Sequence, residues 1–122
     1  MKKYCITRQS TGYDGHTLHR IKALVDIPRY FIKAGEVGGW IENEKNLSHD
    51  GNCWVADDAI VYGDAGVSGD AIVYGNAKIY GKAHVYGNAR VCDYAEVYGH
   101  AWVFGNAEVC GHASIHCQRV VN

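Results

Sequence analysis

From residue 49 to the C-terminus, apolar and polar positions recur with a period of six. Setting the first place at His49, Val55, Val61 and every sixth residue on to Ile115 gives 12 units. The first place is Val or Ile in 11 of them, all but His49. The fifth is Ala in 10, with Cys53 and Arg119 as the exceptions, and the third is Gly in 9. A β-branched residue and a small one therefore recur at fixed separation, with turn formers between them. β-branched residues favour short strands. Gly at the third place and Asn, Asp or His at the fourth suit a tight corner. Asn, Asp and His tolerate left-handed backbone angles better than other non-glycine residues, so Lys82 and Tyr94 are less comfortable at the fourth place. A helix does not fit: six-residue spacing keeps no single face of a 3.6-residue repeat, and so frequent a Gly is costly there.

Three units close one turn of 18 residues. The expected fold is all-β: a short, single-stranded, triangular parallel β-helix with a β-hairpin cap at its N-terminus. Val, Ile and Ala point inward, each stacking on its counterpart one turn away. Four turns at strand spacing give a prism roughly 20 Å tall, and the backbone groups of each turn pair with the turns above and below. Residues 1–48 read as the cap and 49–122 as the coil, together one cooperative domain. In the cap, Tyr4 to Arg8 and Leu18 to Val25 read as strands joined by a turn at Asp14-Gly15, a hairpin signal. Pro28 ends the second strand, and Gly35, Gly38 and Gly39 shape the approach to the coil. Trp40 is expected to plug the top, with Ile6, Ile21, Leu24, Ile27 and Phe31 covering the first turn. The lower end has only a short run of residues after Ile115, so Val120 and Val121 are expected to meet a second subunit.

The unit resembles that of the hexapeptide-repeat proteins, [Leu/Ile/Val]-x-x-x-[small]-x, whose fold is a left-handed parallel β-helix. The left hand is implied by that resemblance; general crossover rules favour the right. Tyr at the second place, with Gly moved to the third, departs from the family pattern and leaves a bactofilin-like right-handed coil open. The stretches His19–Leu24, Lys33–Glu42 and Asn46–Trp54 narrow the likeness to cap-plus-hexad proteins of bacteria and prophages, labelled transferase-like or polymer-forming. The likeness lends a shape and no mechanism.

The chain has 122 residues and a formal net charge of −1, with no block of like charge. That argues against nucleic acid and membrane surfaces as partners, and no apolar run is long enough to span a bilayer. The N-terminal MKKYCITRQS has lysines but no apolar core, so it does not read as a signal peptide. Five cysteines without short paired spacings suggest a reducing, cytoplasmic setting.

At a period of 18 the second places form outward ladders. Tyr62, Tyr80, Tyr98 and His116 make one, Asp50, Ser68, Tyr86 and Phe104 a second, and Ala56, Tyr74, Cys92 and Cys110 a third. Stacked aromatics stabilise adjacent strands, and exposed tyrosines also mark interfaces. Tyr62, Tyr80, Tyr98, His116, Tyr86 and Phe104 are therefore the candidate binding surface. Asn52, Asp70, Asn88 and Asn106 form a corner ladder, read as structural amides bonding along the stack. Cys53 points into the core in place of Ala.

In hexapeptide acyltransferases a His acts as general base in a cleft between subunits of a trimer. Here His84 and His100 are the weak candidates, since no loop interrupts the coil and His100 occupies a corner place. A metal is not expected: Cys92 and Cys110, with Cys117 and His112 near them, would lie along flat ladders, whereas zinc wants four converging ligands. No cofactor or small-molecule substrate is indicated. No Thr follows Thr17, which removes an ice-binding face. The function expected is a non-catalytic binding or structural module that presents rigid faces to a protein partner or to itself. The resemblance adds a phage-encoded role directed at a host protein, such as a defence component. An acetyl-CoA-dependent acyltransferase and an end-to-end polymer are the alternatives.

Overall fold

The computed structural model describes residues 2–121, and among these there is no α-helix. Two long strands, β1 (Tyr4–Tyr13) and β2 (His16–Ala23), form the hairpin, followed by β3 (Val37–Ile41). Twelve short strands then follow: β4 (Trp54–Val55), β5 (Ile60–Val61), β6 (Gly66–Val67), β7 (Ile72–Val73), β8 (Lys78–Ile79) and β9 (His84–Val85); then β10 (Arg90–Val91), β11 (Glu96–Tyr98), β12 (Trp102–Phe104), β13 (Glu108–Val109), β14 (Ser114–His116) and β15 (Arg119–Val121). They stack into three sheets. The first runs β1-β2-β3-β5-β8-β11-β14, the second β4-β7-β10-β13 and the third β6-β9-β12-β15. β1 pairs antiparallel with β2 and β2 antiparallel with β3, and all pairing below β3 is parallel.

The chain is thus a β-solenoid of nearly five turns, because β3 already forms its first rung. Ile41 pairs with Val61 and Leu47 with Val67, a spacing of 20, before Val55 with Val73 settles to 18. Two extra residues lie between Leu47 and Val55. They explain the exception at His49: the inward residue of that rung is Leu47, fully buried. His49 lies outside, stacked on Tyr4 at 4.1 Å. The last rung is one residue short, Val103 pairing with Val120.

Inside, Val, Ile and Ala fill one continuous core, nearly all of it without solvent contact. From residues 56–59 to residues 110–113 the corners are four-residue turns in which the fifth-place N–H donates to the second-place carbonyl, as Ala77 does to Tyr74 at 3.4 Å. The fourth-place N–H donates one turn down to the third-place carbonyl, as Lys82 does to Gly99 at 2.8 Å. The left-handed residue is the third, not the fourth. Every third place from Gly51 to Cys117 has positive φ, including Asp57 (56°), Asp93 (60°) and Cys117 (54°) where Gly is absent. Lys82 and Tyr94 therefore carry no left-handed strain. Asp57 and Asp93 accept the N–H of Gly75 (3.0 Å) and Gly111 (2.9 Å) one turn below, which helps to hold an unfavourable backbone angle.

The cap closes the upper end with Tyr4, Ile21, Ile27, Ile32, Ile41 and Trp54, all buried. The plug is Trp54, not Trp40, and its indole N–H has no partner. Trp40 is half-buried on the outer side, beneath the Arg20 guanidinium at 4.9 Å. Gly38 and Gly39 let β3 meet the coil, since a Cβ at Gly39 would lie 2.7 Å from the Ala59 carbonyl. Leu24 and Phe31 are 46% and 88% exposed, so neither covers the first turn. Pro28 does not end β2; it opens the 3-10 turn Pro28–Tyr30. Asn46 is wholly buried and replaces missing rung contacts. Its oxygen accepts from Glu42 and Asn43, and its amide donates to the Gly63 and Ala65 carbonyls. Lys3 ties the cap to the coil, its ammonium donating to Cys53 O (2.7 Å) and Gly51 O (3.2 Å). It lies 3.2 Å from Cys53 Sγ; Cys53 is buried as expected, and burial pushes its thiol upward against the pull of Lys3.

Cys92 and Cys110 are not separate thiols but a disulfide between consecutive rungs. With Asp93 they form a tight group, yet bonded sulfurs offer no thiolate to a metal. No described helix is long and apolar enough to cross a membrane.

Candidate functional site beneath the hairpin tip

Outward residues of β5, β8, β11 and β14 form two columns: Ile60, Lys78, Glu96 and Ser114, then Tyr62, Tyr80, Tyr98 and His116. The tyrosines stack face to face, Tyr62 on Tyr80 at 5.2 Å and Tyr80 on Tyr98 at 5.1 Å, each within 6° of parallel. His116 continues the stack below Tyr98 at 4.7 Å. Rungs at strand spacing bring identical rings to near contact.

The hairpin is longer than capping requires, and its tip folds over this face. Leu18 packs with Ile60 and Tyr62 in a second apolar cluster flanked by Trp40 and Tyr80. Tyr13 meets Tyr62 edge-on at 5.8 Å, and His16 lies 4.8 Å from the same ring. His16 Nδ1 donates to Glu42 Oε2 at 2.9 Å, while Glu42 Oε1 accepts the Gly63 N–H at 2.9 Å. The His16 bond is the main cause holding the Glu42 carboxyl below its ordinary range. Tyr62 is consequently only 4% exposed, so the accessible strip begins at Tyr80.

Tyr13 overhangs two recesses. One, of about 440 Å³, has Lys78, Tyr94, Glu96 and His112 in its wall; the other, of about 390 Å³, has Asp14, Tyr80 and Glu96. The Lys78 ammonium sits 5.1 Å from the Tyr13 ring centre. Its affinity for the proton is raised, chiefly by a bond to Tyr13. Tyr80 donates to Glu96 Oε1 at 2.9 Å. Burial first, and the hydrogen bond to Glu96 second, hold the Tyr80 phenol well above its usual range; burial pushes Tyr62 up to about 12. These phenols stay neutral donors at physiological pH. The site therefore joins aromatic edges and hydroxyls with the Lys78 ammonium and the carboxylates of Asp14, Asp58 and Glu96, a set suited to recognition of a mixed polar and apolar surface.

The remaining expected residues lie elsewhere. Tyr86 and Phe104 stack at 5.0 Å on the third face, half-buried. His84 is exposed on β9, in register with Gly66 and Trp102. His100 is exposed at a corner. Among the described residues neither imidazole makes a hydrogen bond or ion pair, so no carboxylate orients either as a general base. Val120 is half-buried against the core and Val121 is 58% exposed. In the corner ladder Asn52 donates to Asp70 Oδ1 at 3.1 Å. Asn88 instead accepts from Arg29. Tyr13, Lys78, Glu96, Tyr94 and His112 were absent from the expected site. Period 18 places Lys78 above Glu96 and Tyr94 above His112 (stacked at 5.2 Å), but the fold of the hairpin tip over them has no local signal.

No family model matches the chain. It is 35% identical over 74 residues to the uncharacterized acetyltransferase YdcK of Escherichia coli (strain K12). The match covers 53% of this chain and 22% of that protein's length, so the chain spans about a fifth of the curated relative it matches. The solenoid and this likeness together fit a hexapeptide-repeat coil.

Proposed function

We propose that the protein is a non-catalytic binding module that engages a protein partner through the strip Tyr80–Tyr98–His116 and the recesses under the hairpin tip. The observation that carries this reading is a continuous row of half-exposed stacked aromatics, bounded above by a projecting tip. Stacked rings show their edges and hydroxyls outward, which suits a protein surface better than a flat ligand that needs a free ring face. Rung-to-rung backbone bonds make the face rigid, which lowers the ordering cost of association. The resemblance to prophage cap-plus-hexad proteins supports a host protein as that partner. The test is retention of proteins from a bacterial lysate by the wild-type chain and by Tyr98→Ser, followed by reassembly with the purified candidate. A partner held by the wild type and lost by the variant supports the reading; equal retention overturns it.

A second reading, acyl transfer, is favoured by the likeness to YdcK. It requires a pocket for the acyl donor and a base. It predicts that acetyl-CoA raises the melting temperature and that His84→Ala or His100→Ala abolishes turnover. A mass that grows with concentration in light scattering would instead favour an end-to-end polymer.

A further inference from the structure

On the second sheet, away from the tyrosine strip, the turn Pro28–Tyr30 and its neighbour Phe31 stand over β7 and β10. Between turn and sheet lies a recess of about 260 Å³, lined by Arg29, Tyr30, Phe31, Ile72, Tyr74 and Arg90. Four of the six are apolar or aromatic, and the other two carry guanidinium groups. Among the described residues neither arginine forms a salt bridge, though the Asp70 carboxylate lies close enough to attract Arg29. Arg29 is steered by neutral oxygens, its Nε donating to Tyr30 Oη at 3.1 Å and its Nη2 to Asn88 Oδ1 at 3.0 Å. That leaves further N–H groups of its five free. Arg90 is exposed, in register with Ile72 above and Glu108 below, without an ion pair to Glu108.

Phe31 adds an independent sign. It is 88% exposed and sits in the left-handed region at φ 59°, ψ 29°. An exposed phenylalanine gains nothing for the fold that glycine would not supply there, and strained residues gather at ligand sites. The turn is nevertheless held firmly: Ile27 and Ile32 exchange backbone bonds at 2.9 and 3.1 Å, and the Tyr30 hydroxyl donates to the Asp70 carbonyl. The recess is smaller than the roughly 300–1,000 Å³ of drug-sized sites.

We propose that this recess binds an apolar carboxylate about the size of one amino-acid residue. Its body would rest on Ile72, Tyr74, Tyr30 and Phe31, and its carboxylate would reach Arg29 and Arg90, whose planar forks match that group. The source is a free acid or the C-terminal residue of a peptide chain. The site is separate from the tyrosine strip, so it stands or falls apart from the partner-binding reading.

The experiment is a titration of the ¹⁵N-labelled full chain, followed by NMR, with two probes, each against its own amide. The probes are 3-phenylpropanoate and N-acetylglycyl-phenylalanine. Saturable shifts confined to the Phe31 and Tyr74 amides and the Arg29 and Arg90 Nε–H groups are expected, with the amides binding about tenfold or more weakly. Arg90→Gln, at an exposed position, should remove the same factor for the carboxylates and leave the amides unchanged. A response to 3-phenylpropanoate alone assigns a free acid, and tighter binding of the dipeptide assigns a chain end. Shifts that do not saturate, amides that bind equally well, or an Arg90→Gln protein that binds normally would each overturn the proposal.

Discussion

Replacing Gly81 and Gly111 by alanine, one at a time, separates backbone strain from rung stacking. Both glycines sit at a third place with φ of 70°. An L-residue in the left-handed region costs about 1–2 kcal/mol, partly offset by about 0.4–1 kcal/mol from a stiffer unfolded chain. At Gly111 a Cβ meets nothing within 4 Å, so Gly111→Ala should lose only the difference, about 0.5–1 kcal/mol. At Gly81 the same Cβ would lie 2.8 Å from the Gly99 nitrogen and 3.3 Å from its carbonyl oxygen. Those are backbone atoms of the next rung and cannot swing aside. Forcing the rungs apart adds about 1–3 kcal/mol, as overpacking does in other cores. Urea unfolding followed by circular dichroism should therefore show Gly81→Ala less stable than Gly111→Ala by about 1–3 kcal/mol. In a thermal scan that is a gap of roughly 4 °C per kcal/mol for a chain of this size. Equal losses would refute close stacking of the corners.

The cross-link between Cys92 and Cys110 closes a loop of 18 residues, so its reduction or the Cys92→Ala/Cys110→Ala double variant should lower stability by up to about 3 kcal/mol; identical unfolding curves with and without reductant would contradict the pairing. Glu42 and Glu44 are both held below the ordinary carboxylate value of 4.5, first by bonds from His16 and His49. A depressed folded-state value means stability that is complete above about pH 4.5 and lost as pH falls through that lower value. Urea midpoints between pH 7 and 3 should drop in that window, less so in Glu42→Gln, and an unchanged slope in the variant would count against the ion contacts. Glu42→Gln should also speed hydrogen exchange at the hairpin tip, Tyr13 to Thr17, and spare the lower rungs. At the alkaline end, the raised values of Tyr62 and Tyr80 give stability that is complete below pH 10 and lost as pH rises through the folded-state values. Absorbance at alkaline pH should then show late-ionising phenols that titrate normally in urea.

The coil was legible because one short repeat dictates it: Val or Ile inward, Ala inward, a turn between. What the repeat hid were departures from itself. Two residues inserted before Val55 moved the inward position from His49 to Leu47, and only long-range pairing with Val67 shows it. The left-handed corner residue was misplaced because Asp57 and Asp93, at third places, carry the same chemistry as the Asn and Asp of the fourth. Trp40 and Trp54 are equivalent as apolar signals, and their fates are decided by Gly38 and Gly39, which bring β3 against the coil. The ladders followed directly from period 18, including the contact that becomes the Cys92–Cys110 bond. The candidate site was half visible: the tyrosine column is periodic, but the hairpin that buries Tyr62 and roofs Lys78 and Glu96 is not.

The central claim, that this rigid aromatic face is a binding surface, is tested most directly by calorimetric affinity for the purified captured partner. Wild-type protein would be compared with Tyr98→Ser, and with Tyr86→Ser on another face of the prism. Tyr98 lies in the middle of the accessible strip, where truncation of an interface aromatic commonly removes 2 kcal/mol or more, about thirtyfold in affinity. The account predicts a loss of at least tenfold in affinity for Tyr98→Ser, beside a modest fall in stability from its two lost ring stacks, about 0.2–1 kcal/mol each, and little change in affinity for Tyr86→Ser. Equal affinity of Tyr98→Ser and wild type would contradict it.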